Sequence, residues 1–164
     1  MRRVRCGPTS ACTGRPASRP ATESQPRWAS MATSESDLIW NRACLESGGS
    51  KPREGDRHLA AALLAHGLVA NGGLHHAVES MSESEARAAI SGFEYLGLAA
   101  AAQLIAELAP HAEEFRRVEY TDQEEESANA RYIQAVDGDR ALEAAFFRAL
   151  SSKPGDFYRP TDVA

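Results

Sequence analysis

The sequence predicts an all-α protein, a single compact bundle of about six to seven helices behind a disordered N-terminal tail. Apolar residues recur at spacings of three and four, which marks one face of a helix, and no segment shows the sustained alternation of a half-buried strand. Hydrophobic residues make up 43% of the chain, and many of them are alanine, the strongest helix former. The length of 164 residues suits one hydrophobic core.

Residues 1–32 are predicted to be the disordered basic tail. Residues 1–30 contain four of the eight prolines and six arginines against one glutamate, a charge of +5, and such a composition buries too little apolar surface to fold. No apolar stretch follows the N-terminal arginines, which argues against a signal peptide. Because the composition changes abruptly at Met31, a second hypothesis is that Met31 is the native start and that the tail is an upstream extension.

Residues 33–158 are predicted to form an acidic helical domain. The whole chain carries −5 and residues 1–30 carry +5, so residues 31–164 carry −10. A domain of this charge is a poor partner for nucleic acid or an anionic membrane and a better one for proteins that bind DNA. Of the three cysteines only Cys44 lies in the domain, which indicates no disulfide framework and favours a reducing cytoplasm. The oligomeric state stays open, a homo-oligomer included.

Caps and glycines predict the helix boundaries at the start of the domain. Ser34 and Asp37 have the spacing of a capping box, and the first helix should end at Gly48-Gly49. The second helix begins near Asp56, and Asn71-Gly72-Gly73 should end it, because both residue types tolerate the left-handed conformation of helix C-caps. The apolar face of this helix consists of Leu59, Ala62, Leu63, His66 and Val69.

A helical pair is predicted in the middle of the domain, after a short helical turn over 74–80. Ser82 and Glu85 complete a capping box for its first helix, which Gly97 ends. An alanine-rich helix follows at once, so the two helices run antiparallel through a tight turn.

The C-terminal part is predicted to hold the last helices. Pro110 should bend the chain, because proline lacks an amide donor and clashes with the preceding turn. Two final helices are separated by a turn at Asp137-Gly138-Asp139. Phe157-Tyr158 is expected to fold back over the core.

The five histidines raise the question of a metal site or an acid–base site. None belongs to an H-E-x-x-H pattern, and Cys44 has no cysteine partner at zinc spacing, so we predict no metal and no cofactor. No serine or cysteine stands in a nucleophile motif, and we predict no enzyme activity. The alternative is a metal-dependent or acid–base enzyme that uses His66, His75 or His76 near the Asn71-Gly72-Gly73 turn.

The most unusual feature is a run of acids that we predict to bind a partner. It consists of Glu113, Glu114, Glu119, Asp122, Glu124, Glu125 and Glu126. One interpretation is local, because acids favour helix N-termini and charge runs commonly solvate a face. The other is functional: carboxylates three or four residues apart on a helix lie about 5–6 Å from one another and imitate the phosphate row of DNA. Binding through them should weaken steeply with salt.

A family resemblance supports the functional interpretation. In residues 63–108 a helix runs into Asn71-Gly72-Gly73 and an alanine-rich helical pair turns at Leu96-Gly97. This segment resembles a bacterial family of small helical domains, largely of unknown function, that includes a DNA-mimic protein. Looser similarity extends the resemblance to residues 56–158. Directly after the turn the family commonly has aromatic and polar residues, whereas this chain has Leu74-His75-His76.

The resemblance implies an all-α fold, and it makes DNA mimicry a hypothesis, because the shared positions are turn glycines and core residues rather than acids. We therefore expect a non-enzymatic module that binds a protein partner through Glu113 to Glu126. In the leading hypothesis this partner is a DNA-binding transcription regulator. A further hypothesis is an interaction domain of the immunity type, whose apolar binding is insensitive to salt.

Overall fold

The computed structural model describes residues 34–117 and 120–159, and these residues form an all-α fold. Their seven α-helices are α1 (Glu35–Glu46), α2 (Glu54–Ser80), α3 (Glu83–Tyr95), α4 (Ala99–Leu108), α5 (Ala112–Phe115), α6 (Asp122–Ala135) and α7 (Gly138–Ser152). The predicted fold class is confirmed. The predicted N-terminal tail lies outside the described residues, so the domain boundaries stay predictions.

The helix α2 is the element against which the other helices pack, because it contacts α1 and each of α3 to α7. Its inward residues recur at helical spacing, and four that are at most 1% exposed are Leu59, Ala62, Leu74 and Val78. Three phenylalanines from other parts of the chain complete the core, namely Phe93, Phe146 and Phe157.

Gly73 divides α2 into two helical segments that meet at a kink. Its φ of 85° and ψ of 175° belong to a region that is essentially restricted to glycine. Such a break deprives a following amide of its helical acceptor, and the amide of Leu74 instead donates to the side-chain oxygen of Asn129 on α6, at 2.7 Å. The predicted end of the helix at Asn71-Gly72-Gly73 and the short helical segment over 74–80 are confirmed, because the helical backbone stops at Gly73 and starts again at Leu74. Because Asn129 satisfies the freed amide, helical structure resumes at once.

The packing of α3 against α2 depends on a second glycine, Gly92. A Cβ atom at this position would stand 2.5 Å from the carbonyl oxygen of His58 on α2, so only glycine allows the two axes to lie this close. The predicted capping box starts α3: the amide of Ser82 donates to the Glu85 carboxylate at 2.8 Å and the amide of Glu85 donates to the Ser82 hydroxyl at 3.2 Å. Gly97, with a φ of 76°, separates α3 from α4 as predicted.

The C-terminal residues return to the start of α2, as expected from their aromatic character. Phe157 is fully buried, with its ring centroid 5.6 Å from that of Phe146. The buried carboxylate of Asp56 accepts hydrogen bonds from the amide of Tyr158 at 3.1 Å and from the amide of Arg53 at 2.9 Å. One carboxylate therefore caps α2 and holds the end of the described chain.

The expected bend at Pro110 is a single 3-10 turn, Ala109–His111, between α4 and α5. Within residues 34–117 and 120–159, no helix has the length and apolar character needed to cross a bilayer.

Replacing Gly73 with alanine tests the importance of the break in α2. We expect Gly73→Ala to lower the free energy of unfolding by about 1–3 kcal/mol, the cost of a strained backbone conformation, and its Cβ would also collide with the Glu125 carboxylate. Urea unfolding followed by circular dichroism measures the change.

Gly67→Ala is the matched control, because Gly67 lies in the same helix and a Cβ there meets nothing within 4 Å. We expect it to raise the free energy of unfolding by about 0.5–1 kcal/mol. Equal effects of the two substitutions would contradict the role assigned to Gly73.

Candidate functional site

The seven acids predicted to bind a partner are divided between two helices and the segment that joins them. Two lie on α5 and four lie at the N-terminal end of α6, whereas Glu119 lies outside the described residues. The described members are exposed except for Glu125, which is half-buried. In chain order they are Glu113, Glu114, Asp122, Glu124, Glu125 and Glu126. The acids therefore form a composite surface and not one stripe along a single helix.

The acids of α5 have basic neighbours on the same short helix. Glu113 forms ion pairs with Arg116 and with Arg117, the latter at 3.6 Å, and Glu114 lies 3.4 Å from Nδ1 of His111. Exposed pairs of this kind contribute little stability. Arg116 also donates from Nε to the carbonyl oxygen of Glu79 at 2.9 Å, which attaches α5 to the C-terminal end of α2.

The acids of α6 have two kinds of environment. Glu124 accepts hydrogen bonds from the amide of Thr121 at 3.0 Å and from its hydroxyl at 2.9 Å, and these bonds hold the pKa of Glu124 below its usual value. Glu125 lies against Gly73. Asp122 and Glu126 make no hydrogen bond or ion pair in the described part of the chain. Asp122, Glu124 and Glu125 lie in the first turn of α6, so the local interpretation accounts for these three acids. Glu126 lies beyond the first turn.

A cavity of about 760 Å³ lies between α5 and α6, next to these acids. His75 from α2 lines it and is 8% exposed. The ring centroid of His75 lies 4.7 Å from that of Phe115 and 4.5 Å from that of Tyr120. The carboxylate-bearing residues Glu114 and Glu124 also line the cavity. It is therefore an aromatic cavity with an acidic rim.

Tyr120 helps to shape this cavity through its hydroxyl group. The hydroxyl donates to the carbonyl oxygen of Phe115 at 2.6 Å and lies 3.2 Å from the carboxylate of Glu79. Burial and then the charge of Glu79 raise the pKa of Tyr120 to about 12, so the hydroxyl is a donor at neutral pH. Tyr120 was not among the site residues predicted from the sequence. The only sequence feature that indicates it is the placing of two aromatic residues, Phe115 and Tyr120, on either side of the charged segment 116–119.

The histidines of the alternative enzyme hypothesis have three different environments. His66 lines a separate cavity of about 900 Å³, next to Trp40 and Asp139. His75 is buried in the aromatic cavity, whereas His76 is exposed and lies 3.0 Å from the carboxylate of Glu79. Across residues 34–117 and 120–159, no cluster of three or more His, Cys, Asp or Glu side chains could hold a metal ion.

His66 connects three helices. Its Nδ1 lies 3.0 Å from the hydroxyl of Tyr132 on α6, and its Nε2 lies 2.9 Å from the carboxylate of Asp139 on α7. Burial raises the pKa of Tyr132, so its hydroxyl donates to Nδ1, and Nε2 then carries the proton that Asp139 accepts. Both ring nitrogens of His66 therefore have a partner, and these contacts join α2 to α6 and α7.

Comparison with known proteins places this fold in a family. The family model described as DMP19-like protein matches residues 51–154, which is more than half of the chain. The chain belongs to the DMP19-like family. The resemblance drawn from the sequence over residues 56–158 is thereby confirmed, DMP19 being DNA mimic protein 19. No curated protein and no solved structure matches the chain.

The region that matches the DMP19-like family runs from α2 to α7. It therefore includes the break at Gly73 and the acidic surface. It also includes the aromatic cavity, which lies between elements of the matched segment.

The lowered pKa values of Glu85 and Glu124 predict how the stability of this DMP19-like protein depends on pH. Hydrogen bonds from the Ser82 hydroxyl and amide lower the pKa of Glu85, and those from Thr121 lower that of Glu124. A depressed folded-state pKa stabilises the fold above the ordinary glutamate value of about 4.3, and this contribution is lost as the pH falls through the lowered pKa. We expect the double variant Glu85→Gln/Glu124→Gln to lose less stability than the wild type between pH 5 and pH 3, roughly the window set by these shifts.

Thermal unfolding at each pH measures this difference, because glutamine keeps a capping box but does not titrate. The variant Glu94→Gln/Glu126→Gln removes the same number of exposed carboxylates and should follow the wild-type profile. Parallel profiles for all three proteins would refute the prediction.

Proposed function

We propose that this DMP19-like protein is a non-enzymatic module of the cytoplasm that acts as a DNA mimic. Its acidic surface on α5 and α6 occupies the DNA-binding face of a transcription regulator. The observation that carries the proposal is the pair Asp122 and Glu126, which are exposed carboxylates without a partner in the described structure. The membership of a DNA-mimic family supports it.

The geometry of this pair fits a partner that normally binds phosphates. Asp122 and Glu126 are four residues apart on α6, so their Cβ atoms lie about 5–6 Å from each other on one helix face. The dipole of a helix favours anions at its N-terminus, and this effect stabilises the carboxylates in the first turn of α6. Residues 31–164 carry −10, and this charge attracts a basic surface over a longer range.

The three histidines of the enzyme alternative do not share one site among the described residues. His66 contacts Tyr132 and Asp139, His75 lines the aromatic cavity and His76 lies beside Glu79. The salt-insensitive interaction domain remains a distinct alternative, and the dependence of binding on salt separates it from mimicry.

The test compares two variants that each remove three negative charges. Glu113→Gln, Asp122→Asn and Glu126→Gln neutralise the proposed surface and spare the capping residue Glu124. The control variant carries Glu35→Gln, Glu94→Gln and Glu143→Gln, which are exposed positions on α1, α3 and α7.

Each protein is immobilised and exposed to a bacterial lysate over a range of salt concentrations, and captured proteins are then purified for affinity measurements. We expect the first variant to bind roughly tenfold more weakly, because each exposed charge pair is worth up to about 1 kcal/mol. The control should bind like the wild type, and duplex DNA should displace the captured regulator.

Capture that survives high salt would instead identify the salt-insensitive type of domain. A partner that duplex DNA fails to displace would refute mimicry.

A further inference from the structure

We propose that the aromatic cavity between α5 and α6 is a binding pocket for an arginine side chain of the protein partner. This inference rests on the proposed function, because it names a group on the partner that the acidic surface binds. Three features carry it, namely the rings of the cavity, the charge of its rim and the unpartnered imidazole of His75.

The rings provide a surface that attracts cations. His75, Phe115 and Tyr120 lie in mutual contact, and the centroids of Phe115 and Tyr120 are 5.5 Å apart at an interplanar angle of 80°. The face of an aromatic ring attracts a cation, and the planar guanidinium group of arginine also stacks on it. A cavity of about 760 Å³ has room for such a side chain.

The rim of the cavity carries the carboxylates of Glu114 and Glu124, and the basic residues His111 and Arg131 also line it. Glu124 uses its Oε2 atom for both bonds to Thr121, so its other oxygen can accept from a ligand. Glu114 has only His111 beside it, at 3.4 Å. The one arginine that lines the cavity, Arg131, is paired with Glu107 at 2.6 Å and 3.2 Å. An anion would meet two carboxylates here, and a cation would be held by them.

His75 is an independent indication that the cavity takes a ligand. Its side chain is more than nine-tenths buried, and its Nδ1 atom has no hydrogen-bond partner. Buried polar groups in folded proteins are almost always paired, and an exception calls for an explanation. His75 lines the cavity, and a guanidinium group that enters it carries five N–H donors for which the imidazole is a candidate acceptor.

The test uses Nα-acetyl-L-arginine amide as the probe and the full chain as the protein. Nuclear magnetic resonance follows the ring signals of His75 and Tyr120 while the probe is added. We expect saturable shifts at both rings, and weaker binding of Nα-acetyl-L-lysine amide, because a compact ammonium group cannot stack or bind in a forked geometry. Absence of saturable shifts at these rings would overturn the inference.

Two double variants separate a specific pocket from general charge attraction. Glu114→Gln/Glu124→Gln should weaken arginine binding roughly tenfold, because hydrogen bonds between charged groups are the strong ones, while glutamine still completes the capping box of α6. Glu35→Gln/Glu94→Gln removes the same charge at exposed positions outside the cavity and should leave the affinity for the arginine probe unchanged. Equal weakening by both would show that no pocket is involved.

Phe115→Leu keeps an apolar side chain and removes one ring face, and it should also weaken binding of the arginine probe. Circular dichroism confirms that each variant is folded.

Two results with the wild-type chain separate the pocket from mimicry. If the chain binds the arginine probe but captures no regulator in a salt-sensitive way, mimicry alone is refuted. If the chain captures a regulator but does not bind the arginine probe, the pocket alone is refuted.

Discussion

The hydrogen bond from the amide of Leu74 to the side chain of Asn129 is the contact on which the arrangement of the helices depends. Gly73 breaks the hydrogen-bonding pattern of α2, and Asn129 satisfies the amide that this break frees, at 2.7 Å. The same region positions the first turns of α6 against α2, because Glu125 lies against Gly73. The N-terminal acids of α6 are therefore held next to α5, and the aromatic cavity forms between the two helices.

In the proposed function, the acidic surface serves both structure and binding. Glu124 completes a capping box with one carboxylate oxygen and lines the cavity, whereas Asp122 and Glu126 have no partner in residues 34–117 and 120–159. Negative charge at a helix N-terminus is stabilising, because the free amides and the helix dipole favour anions there. This explains how so many like charges persist on a small domain without unfolding it. It also explains why neutralising the run as a whole would mix an effect on stability with one on binding.

Neighbouring histidines show how far the environment decides the role of a residue type. His75 and His76 are adjacent in the chain, yet one is buried between aromatic rings and the other is exposed beside Glu79. His66 lies earlier in α2 and joins this helix to α6 and α7 through its contacts with Tyr132 and Asp139. The sequence pattern grouped the three as one hypothetical site, because spacing along a helix does not say what packs against each face.

The sequence by itself determined the helical class, the capping boxes at Ser34 and Ser82 and the position of the acidic run. These features depend on residues within one or two helical turns of each other, so local patterns suffice to predict them. Only the tertiary structure decided that Asn129 satisfies the amide freed at Gly73 and that His75, Phe115 and Tyr120 surround one cavity. Both outcomes depend on contacts between distant segments, such as the 55 residues that separate Leu74 from Asn129. A helical period shows which face is buried but not which helix will cover it.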